Sequence, residues 1–409
     1  MRKKIILFFV LIFLAFSSSV LGASADSIKI DSPVGLLIEQ STGKILYEKD
    51  SNKKMYPAST TKIMTALLTL EKGNLSDTVV VSKEAVSSLD GGYVTSYIAI
   101  GEELTVEQLL NVLLVPSGNV AGNVLAEYIS GSVDKFVSLM NTRAKELGCK
   151  NTHFTNSYGL HDENHYSTAY DLYLMAKEAM NHKEFRDIVC KSSYKLAPTN
   201  KHFQDDRTLY STNDMLKPTS RSYYEYAIGI KTGYTSKAQE CLVSAATKNN
   251  MTLYAVILGS ERNSSGTSSR YADITKLFNF GFNNYLFRTI KSKGTIIENV
   301  EVKGATNNTK NLEVKLDSTI TAFIHSDDTY ASFSPKVDMQ ELSAPIAKDS
   351  VVGTLSYNIN GSTYTANLVA GSDVEKSYLF ILVDIGIVIA LMIMFKVVLR
   401  KRKTKNRRR

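Results

Sequence analysis

Pro57-Ala-Ser-Thr-Thr-Lys-Ile-Met-Thr-Ala-Leu-Leu-Thr-Leu-Glu-Lys72 sets a serine at the head of an apolar run with helical spacing. Ile63, Met64, Leu67, Leu68 and Leu70 recur on one side and Gly73 stops the pattern, so a helix is expected over residues 61–72. In the first turn of a helix, backbone N–H groups are unpaired and the dipole is positive, which favours negative charge developing on the Ser59 oxygen. Lys62, one turn on, projects from the same face. On a desolvated face near other cations a lysine loses its proton readily, and the neutral amine can take the serine's. A capping serine beside a solvated lysine gives the same local pattern, and Ser41, Ser51, Ser132 and Ser192 also precede a lysine by three residues. Only Ser59 opens a long apolar helix.

Two later stretches complete the chemistry. Ser117-Gly-Asn119 ends the apolar run Leu113-Leu-Val-Pro116. Its serine hydroxyl can relay a proton, and its asparagine amide can hold a substrate carbonyl or orient the lysine. Lys231-Thr-Gly233 follows Ala227-Ile-Gly-Ile230, which reads as an edge strand whose glycine admits a ligand backbone. Lys231 and the Thr232 hydroxyl together suit a terminal carboxylate. As isolated patterns these are an ordinary turn and an ordinary strand end.

The ends of the chain bound its topology. Basic residues at 2–4, an apolar stretch over 5–16 and Ala23-Ser-Ala25 form the layout of a secretory leader, expected over residues 1–25. Residues 378–399 are almost all apolar and are followed by a basic tail over 400–409, so a membrane-spanning helix with a cytoplasmic tail is expected there. The net charge of +8 then reports topology and no nucleic-acid partner is expected. Setting aside the three basic residues at 2–4, the eight after 399 and Lys396 leaves 36 of 48, against 39 of 40 acidic residues once Asp384 is excluded, so the exported part is near −3. Cys149, Cys190 and Cys241 are odd in number and widely spaced, which gives no disulfide framework. No Cys-x-x-Cys or His-Glu-x-x-His cluster is present, and neither a metal nor a cofactor is expected.

Residues 26–283 read as one α+β catalytic domain. Hairpin signals flank Ser41-Thr-Gly43 and Asn249-Asn250; helices are expected over 106–115, 120–129, 133–147 and 270–285. Residues 287–372 change texture to short β runs at 296–302, 312–316, 320–324, 351–357 and 364–369, a small all-β domain with the pattern of a sandwich.

Met55-Tyr-Pro-Ala-Ser-Thr-Thr-Lys-Ile-Met-Thr-Ala66, Leu113-Leu-Val-Pro-Ser-Gly-Asn119, Lys150-Asn-Thr-His-Phe-Thr-Asn156 with Gly159-Leu-His161, and Gly229-Ile-Lys-Thr-Gly-Tyr-Thr235 together resemble the low-molecular-mass penicillin-binding proteins, serine-type D-alanyl-D-alanine carboxypeptidases. The resemblance covers essentially the whole chain. It implies a β-lactamase/transpeptidase-like catalytic domain, an antiparallel sheet plus helical subdomain, and a substrate that is a peptidoglycan pentapeptide ending in D-Ala-D-Ala, with β-lactams as covalent inhibitors. It implies Ser59 as nucleophile, Lys62 as general base and Ser117 as proton relay. Asn119, Lys231, Thr232 and Gly233 then bind substrate, and the backbone N–H groups of Ser59 and Tyr234 form the oxyanion hole. Ala238-Gln-Glu-Cys241 departs from the family, which has Ala-Gly-Tyr before the cysteine, and Val120-Ala-Gly122 stands where Asp-Ala-Ala is common. A β-lactamase shares all three motifs but needs a deacylating carboxylate; Glu163 and Glu184 fall in the right interval without the expected Glu-x-x-x-Asn setting. A catalytically weak penicillin-sensing or wall-binding protein is the remaining alternative.

Overall fold

The structure, a computed structural model, describes residues 28–89, 97–203, 207–262, 268–329 and 333–406. The leader expected over residues 1–25 lies outside these.

A five-stranded antiparallel sheet runs in the order Ile45–Lys49, Val34–Glu39, Met251–Ser260, Gln239–Lys248, Ala227–Thr235. Its first two strands are the hairpin expected around Ser41-Thr-Gly43, and its last three come from the far end of the domain. The two ends meet where Leu37 stands opposite Ala255. Period-two alternation divides the sheet's faces. Val34, Leu36, Ile38, Val243, Val256 and Leu258 pack against the helical half, while Leu37, Leu242, Leu253, Ala255 and Ile257 pack under the helix Ser269–Asn284. Asn249 and Asn250 both take positive φ, the geometry that a two-residue hairpin turn demands.

The helix Lys62–Lys72 is buried along nearly its whole length, threonines included, and the helices Val106–Leu114, Asn119–Ser130, Val133–Glu146 and Ala169–Ala179 surround it. A helix enclosed on all sides holds its first turn in place. Each expected helix is found within a residue or so. The difference that matters is at residue 61: the chain enters the central helix through a 3-10 turn, Ala58–Thr61, and Ser59 belongs to that turn.

The second domain begins without a linker, because the helix Ser269–Asn284 passes directly into the strand Tyr285–Lys291. This strand pairs with Ile320–His325, and the resulting ribbon faces a five-stranded sheet ordered Ile296–Glu301, Asn311–Leu316, Ser362–Ala370, Val351–Ile359, Pro335–Met339. Ile290, Ala322 and Ile324 of the ribbon close over Leu312, Val314, Leu355 and Leu368 of the sheet. Pro335–Met339 escapes sequence reading because it is a short, exposed edge strand that opens on proline and whose alternation rests on Val337 and Met339 alone. On the ribbon's other side Phe323 stacks with Tyr285 and joins the core of the first domain.

The C-terminal residues are expected to form a membrane-spanning helix. A helix does form over Tyr378–Asn406, and Lys376 pairs with Asp384 in its first turns. Yet among the described residues no helix is long and apolar enough to cross a membrane.

Candidate active site

Ser59 is presented by a turn that three neighbours hold in an unusual shape. Ala58 takes a positive φ of 48°, a conformation that alanine rarely adopts without outside support. Part of that support is local: the Thr60 hydroxyl donates to the Pro57 carbonyl at 2.7 Å. His165 gives more, since its Nδ1 accepts the Thr155 N–H and its Nε2 therefore carries the proton donated to Thr61 Oγ1 at 2.8 Å. Burial holds that imidazole neutral, with its pKa lowered to about 3. Two glycines then lie close against the turn. A Cβ on Gly159, whose φ is +95°, would stand 1.9 Å from the Ala58 carbonyl oxygen; one on Gly233 would stand 2.9 Å from the Pro57 oxygen and 3.2 Å from the Ser59 nitrogen. Both positions need glycine for close approach.

Lys62 is fully buried. Its Nζ lies 2.9 Å from Ser59 Oγ, 2.7 Å from Asn119 Oδ1 and 2.7 Å from the Tyr158 carbonyl oxygen. These neighbours are neutral. Burial pushes the lysine pKa well below its ordinary value and the charge of Lys231 adds to the shift. The amine is thus placed and tuned to accept the serine proton. The Tyr158 carbonyl is delivered by a loop wound on Asn156, whose Oδ1 accepts the N–H groups of Tyr158, Gly159 and Leu160 at 3.3, 2.7 and 3.0 Å.

Ser117 and Asn119, one motif in sequence, behave differently in space. Asn119 opens the helix Asn119–Ser130 and binds Lys62, so its amide oxygen orients the lysine. Ser117 sits in the left-handed corner before it, at φ 67°, with the Gly118 N–H bonded to the Val112 carbonyl at 2.9 Å. Among the described residues no hydrogen bond joins Ser117 to Ser59 or Lys62.

Lys231, Thr232 and Gly233 lie on Ala227–Thr235, which is the sheet's edge strand as expected. Lys231 is 1% exposed and its ammonium donates to the Thr232 carbonyl at 3.0 Å. Burial, reinforced by the charge of Arg270, lowers its pKa to about 7. The Thr232 hydroxyl is 2.6 Å from that of Thr212. Arg270 was not foreseen. One of its terminal nitrogens lies 3.3 Å from the Gly233 carbonyl oxygen and the other 3.1 Å from the Tyr271 hydroxyl, which in turn donates to the Thr212 carbonyl at 3.2 Å. A sequence signal existed: a cation in the first turn of the helix Ser269–Asn284 opposes the helix dipole and needs another reason to be there. Glu240, the departure in the hairpin, supplies the counter-charge. It is 1% exposed, accepts from Arg262 Nε at 2.8 Å and lies 3.6 Å from Arg270 Nε. Tyr234, its cross-strand partner, is 54% exposed with the Arg262 guanidinium 5.5 Å from its ring centre.

The two carboxylates weighed for deacylation are elsewhere. Glu163 is an exposed loop residue and Glu184 lies in the first turn of the helix Lys183–Val189. Among the described residues no Asp or Glu is hydrogen-bonded to Ser59 or Lys62. Cys149, Cys190 and Cys241 are unpaired thiols.

Comparison with known proteins adds an independent line. Residues 20–262 match the family described as D-alanyl-D-alanine carboxypeptidase, and residues 285–376 match the C-terminal domain of penicillin-binding protein 5. The chain is 35% identical over 367 residues to D-alanyl-D-alanine carboxypeptidase DacF of Bacillus subtilis (strain 168), covering 88% of this chain and 90% of that one. The structure of penicillin-binding protein 5 from Haemophilus influenzae aligns with a TM-score of 0.63 at 26% identity, over 86% of this chain and 99% of that one. The Streptomyces K15 protein, which carries the names D-alanyl-D-alanine carboxypeptidase and DD-transpeptidase, aligns with a TM-score of 0.57 at 33% identity, over 63% of this chain and 98% of that one.

Proposed function

Because the chain belongs to the D-alanyl-D-alanine carboxypeptidase family of penicillin-binding proteins, we propose a division of labour among its residues for removing the terminal D-alanine of a peptidoglycan stem peptide. Ser59 Oγ attacks the carbonyl of the penultimate D-alanine as Lys62 takes the hydroxyl proton. Backbone N–H groups of Ser59 and Tyr234 receive the oxyanion; one such donor is worth roughly 3 kcal/mol in the transition state. Lys231, the Thr232 hydroxyl and Arg270 hold the terminal carboxylate, and Gly233 lets the peptide backbone lie against the edge strand. Proton return to the leaving amine runs from Lys62 through Ser117 once substrate bridges the gap between them. Free D-alanine leaves, and water, activated by the same lysine, releases the shortened peptide. A penicillin carries a carboxylate and a reactive amide in the same relation and acylates Ser59.

The observation that carries this reading is the 2.9 Å contact between Ser59 Oγ and a buried lysine whose other partners are neutral. That arrangement activates a serine without a carboxylate. It also speaks against a β-lactamase, whose rapid turnover needs an additional base. Incubation with labelled penicillin should leave a long-lived adduct on Ser59, and a peptide ending in D-Ala-D-Ala should release D-alanine. Ser59→Ala should abolish both. Rapid penicillin turnover would make it a β-lactamase; neither adduct nor release would leave a sensing or wall-binding protein. The DD-transpeptidase description of the Streptomyces K15 protein makes the acceptor worth testing: added amino-acid acceptors should not divert the acyl group from water.

We assign the catalytic domain to the outer face of a cell membrane, held by the C-terminal segment. Support comes from the exposed apolar side chains Ile381, Leu382, Ile385, Ile389, Ile393 and Val397 on one helix, and from the basic residues after 399. The full chain should sediment with membranes and a chain ending at 377 should not; equal partitioning would remove the anchor.

A further inference from the structure

Thr212 belongs to none of the three motifs, yet it bonds to three elements around the carboxylate grip. Its N–H donates to the Val115 carbonyl at 3.2 Å, in the turn that runs on to Ser117. Its carbonyl accepts the Tyr271 hydroxyl at 3.2 Å, from the first turn of the helix Ser269–Asn284. Its side-chain oxygen lies 2.6 Å from Thr232 Oγ1 on the edge strand. The residue stands between the strand Arg207–Tyr210 and the 3-10 turn Asp214–Leu216, and both neighbours are tied down. The Ser211 N–H donates to the Ser192 carbonyl at 2.9 Å, and Asn213 Oδ1 accepts the Met215 N–H at 3.1 Å.

The direction of each hydrogen bond around Thr212 is fixed by the donors available. A guanidinium has donors only, so Arg270 gives a proton to the Tyr271 oxygen at 3.1 Å, and the Asp214 N–H gives it a second at 3.2 Å. The proton of that phenol then goes to the Thr212 carbonyl, which only accepts. The same guanidinium donates to the carbonyl of Gly233, the residue after Thr232, and this closes the circuit. Thr212 is thus held by its backbone, and its hydroxyl sets the sense of the bond to Thr232. Each hydroxyl has one proton. If Thr232 gave its proton to Thr212, it would meet a substrate carboxylate with lone pairs facing lone pairs. If Thr212 donates, the Thr232 proton is free for the carboxylate, and accepting one bond strengthens the one donated. Among the described residues Thr232 Oγ1 is the one hydrogen-bond partner of Thr212 Oγ1, so nothing draws the Thr212 proton elsewhere.

We propose that Thr212 is a positioning residue for the terminal carboxylate: its hydroxyl donates to Thr232 Oγ1 and so aims the Thr232 proton at the substrate. The inference rests on the catalytic reading above, because that reading puts the carboxylate at Thr232.

The test uses the full chain and two peptides, one ending in D-Ala-D-Ala with its carboxylate free and the same peptide capped as the C-terminal amide. The quantity read is the ratio of their kcat/KM values for release of the last residue. Thr212→Val keeps the shape and removes the hydroxyl, and should lower that ratio about tenfold, the weight of one hydrogen bond to a charged group. Thr212→Ser puts a hydroxyl back and should restore the ratio. In a Thr232→Val background, adding Thr212→Val should change the free-acid peptide's kcat/KM no further, because Thr212 acts through the residue already removed. A merely structural role would lower both peptides by one factor and would persist in the Thr232→Val background. Either result, or a Thr212→Ser ratio equal to that of Thr212→Val, would overturn the proposal while leaving catalysis by Ser59 intact. A wild-type chain that releases nothing from either peptide and forms no adduct with penicillin would overturn the catalytic reading and the proposal with it.

Discussion

Replacing Lys231 by methionine should make the protein more stable and less able to act. The Lys231 ammonium has three protons to donate and, among the described residues, one acceptor, the Thr232 carbonyl. Burial and the nearby Arg270 hold its pKa at about 7 against 10.5 for an ordinary lysine. Between those values the unfolded chain binds a proton that the folded one does not, so stability rises with pH across the window. Below about pH 7 both states are charged and the penalty is complete. At 1.36 kcal/mol per pH unit it amounts to roughly 5 kcal/mol. Methionine keeps the straight chain and removes the charge, a change of the kind that often stabilises. Urea unfolding, followed by tyrosine fluorescence because the chain has no tryptophan, should put the Lys231→Met midpoint above wild type at pH 6. By pH 10, where a lysine in the unfolded chain is itself about a quarter deprotonated, the gap should shrink to about 1 kcal/mol or less. Penicillin acylation should meanwhile fall by at least about a hundredfold with the carboxylate's partner gone. A variant less stable than wild type at pH 6, or a gap that ignores pH, would mean that the ammonium is well satisfied in the fold and that its burial is not strain reserved for substrate.

The same lysine shapes the pH profile. Acylation should rise as Lys62 loses its proton and fall above about pH 7 as Lys231 loses its own. In Lys231→Arg, whose guanidinium stays charged, the alkaline fall should disappear; an unchanged fall would assign it to another group. Gly233→Ala places a methyl 2.9 Å from the Pro57 oxygen and 3.2 Å from the Ser59 nitrogen. The strand must back away from the nucleophile, and acylation should drop about a hundredfold; wild-type rates in a labelled-penicillin time course would contradict this. Glu102, fully buried, accepts from Arg207, from Thr199 Oγ1 at 2.7 Å and from the Ala99 N–H at 2.8 Å. Glu102→Gln leaves Arg207 without its counter-charge and should destabilise the fold by about 3 kcal/mol or more; a loss under about 1 kcal/mol in urea unfolding would refute that.

Much of the site could be read directly because its chemistry is written in side chains at fixed local spacing. Ser59 and Lys62 stand one turn apart, and Lys231-Thr-Gly233 on an edge strand is a two-residue periodicity ending at a glycine. The helices and both hairpins of the first domain follow from apolar spacing. What stayed hidden acts through backbone atoms or across long stretches of sequence. Any residue type at 158 could offer Lys62 a carbonyl; the readable sign is Asn156 and Gly159, which shape that loop. The pairing of Arg270 with Glu240 joins positions thirty residues apart and marks neither one locally. At the C-terminus composition implied both a helix and a span: the helix forms over Tyr378–Asn406, and among the described residues none is long and apolar enough to cross a membrane.

Taken together, the charges explain why one site can be both a base and a carboxylate grip. Lys62 feels the charge of Lys231, Lys231 feels that of Arg270, and Arg270 lies 3.6 Å from the buried carboxylate of Glu240, which Arg262 already shares. In the free enzyme burial, reinforced by the charge of Lys231, lowers the pKa of Lys62, and burial with the charge of Arg270 brings that of Lys231 to about 7. A substrate that arrives with a terminal carboxylate changes both. It keeps Lys231 charged, and it cancels part of the field that Lys231 exerts on Lys62. The proton affinity of Lys62 therefore rises at the moment when it must take the proton of Ser59. A peptide without that carboxylate leaves the lysine a weaker base, so the group that secures the substrate also sets the strength of the catalyst, and discrimination against such peptides should appear in kcat as well as in KM.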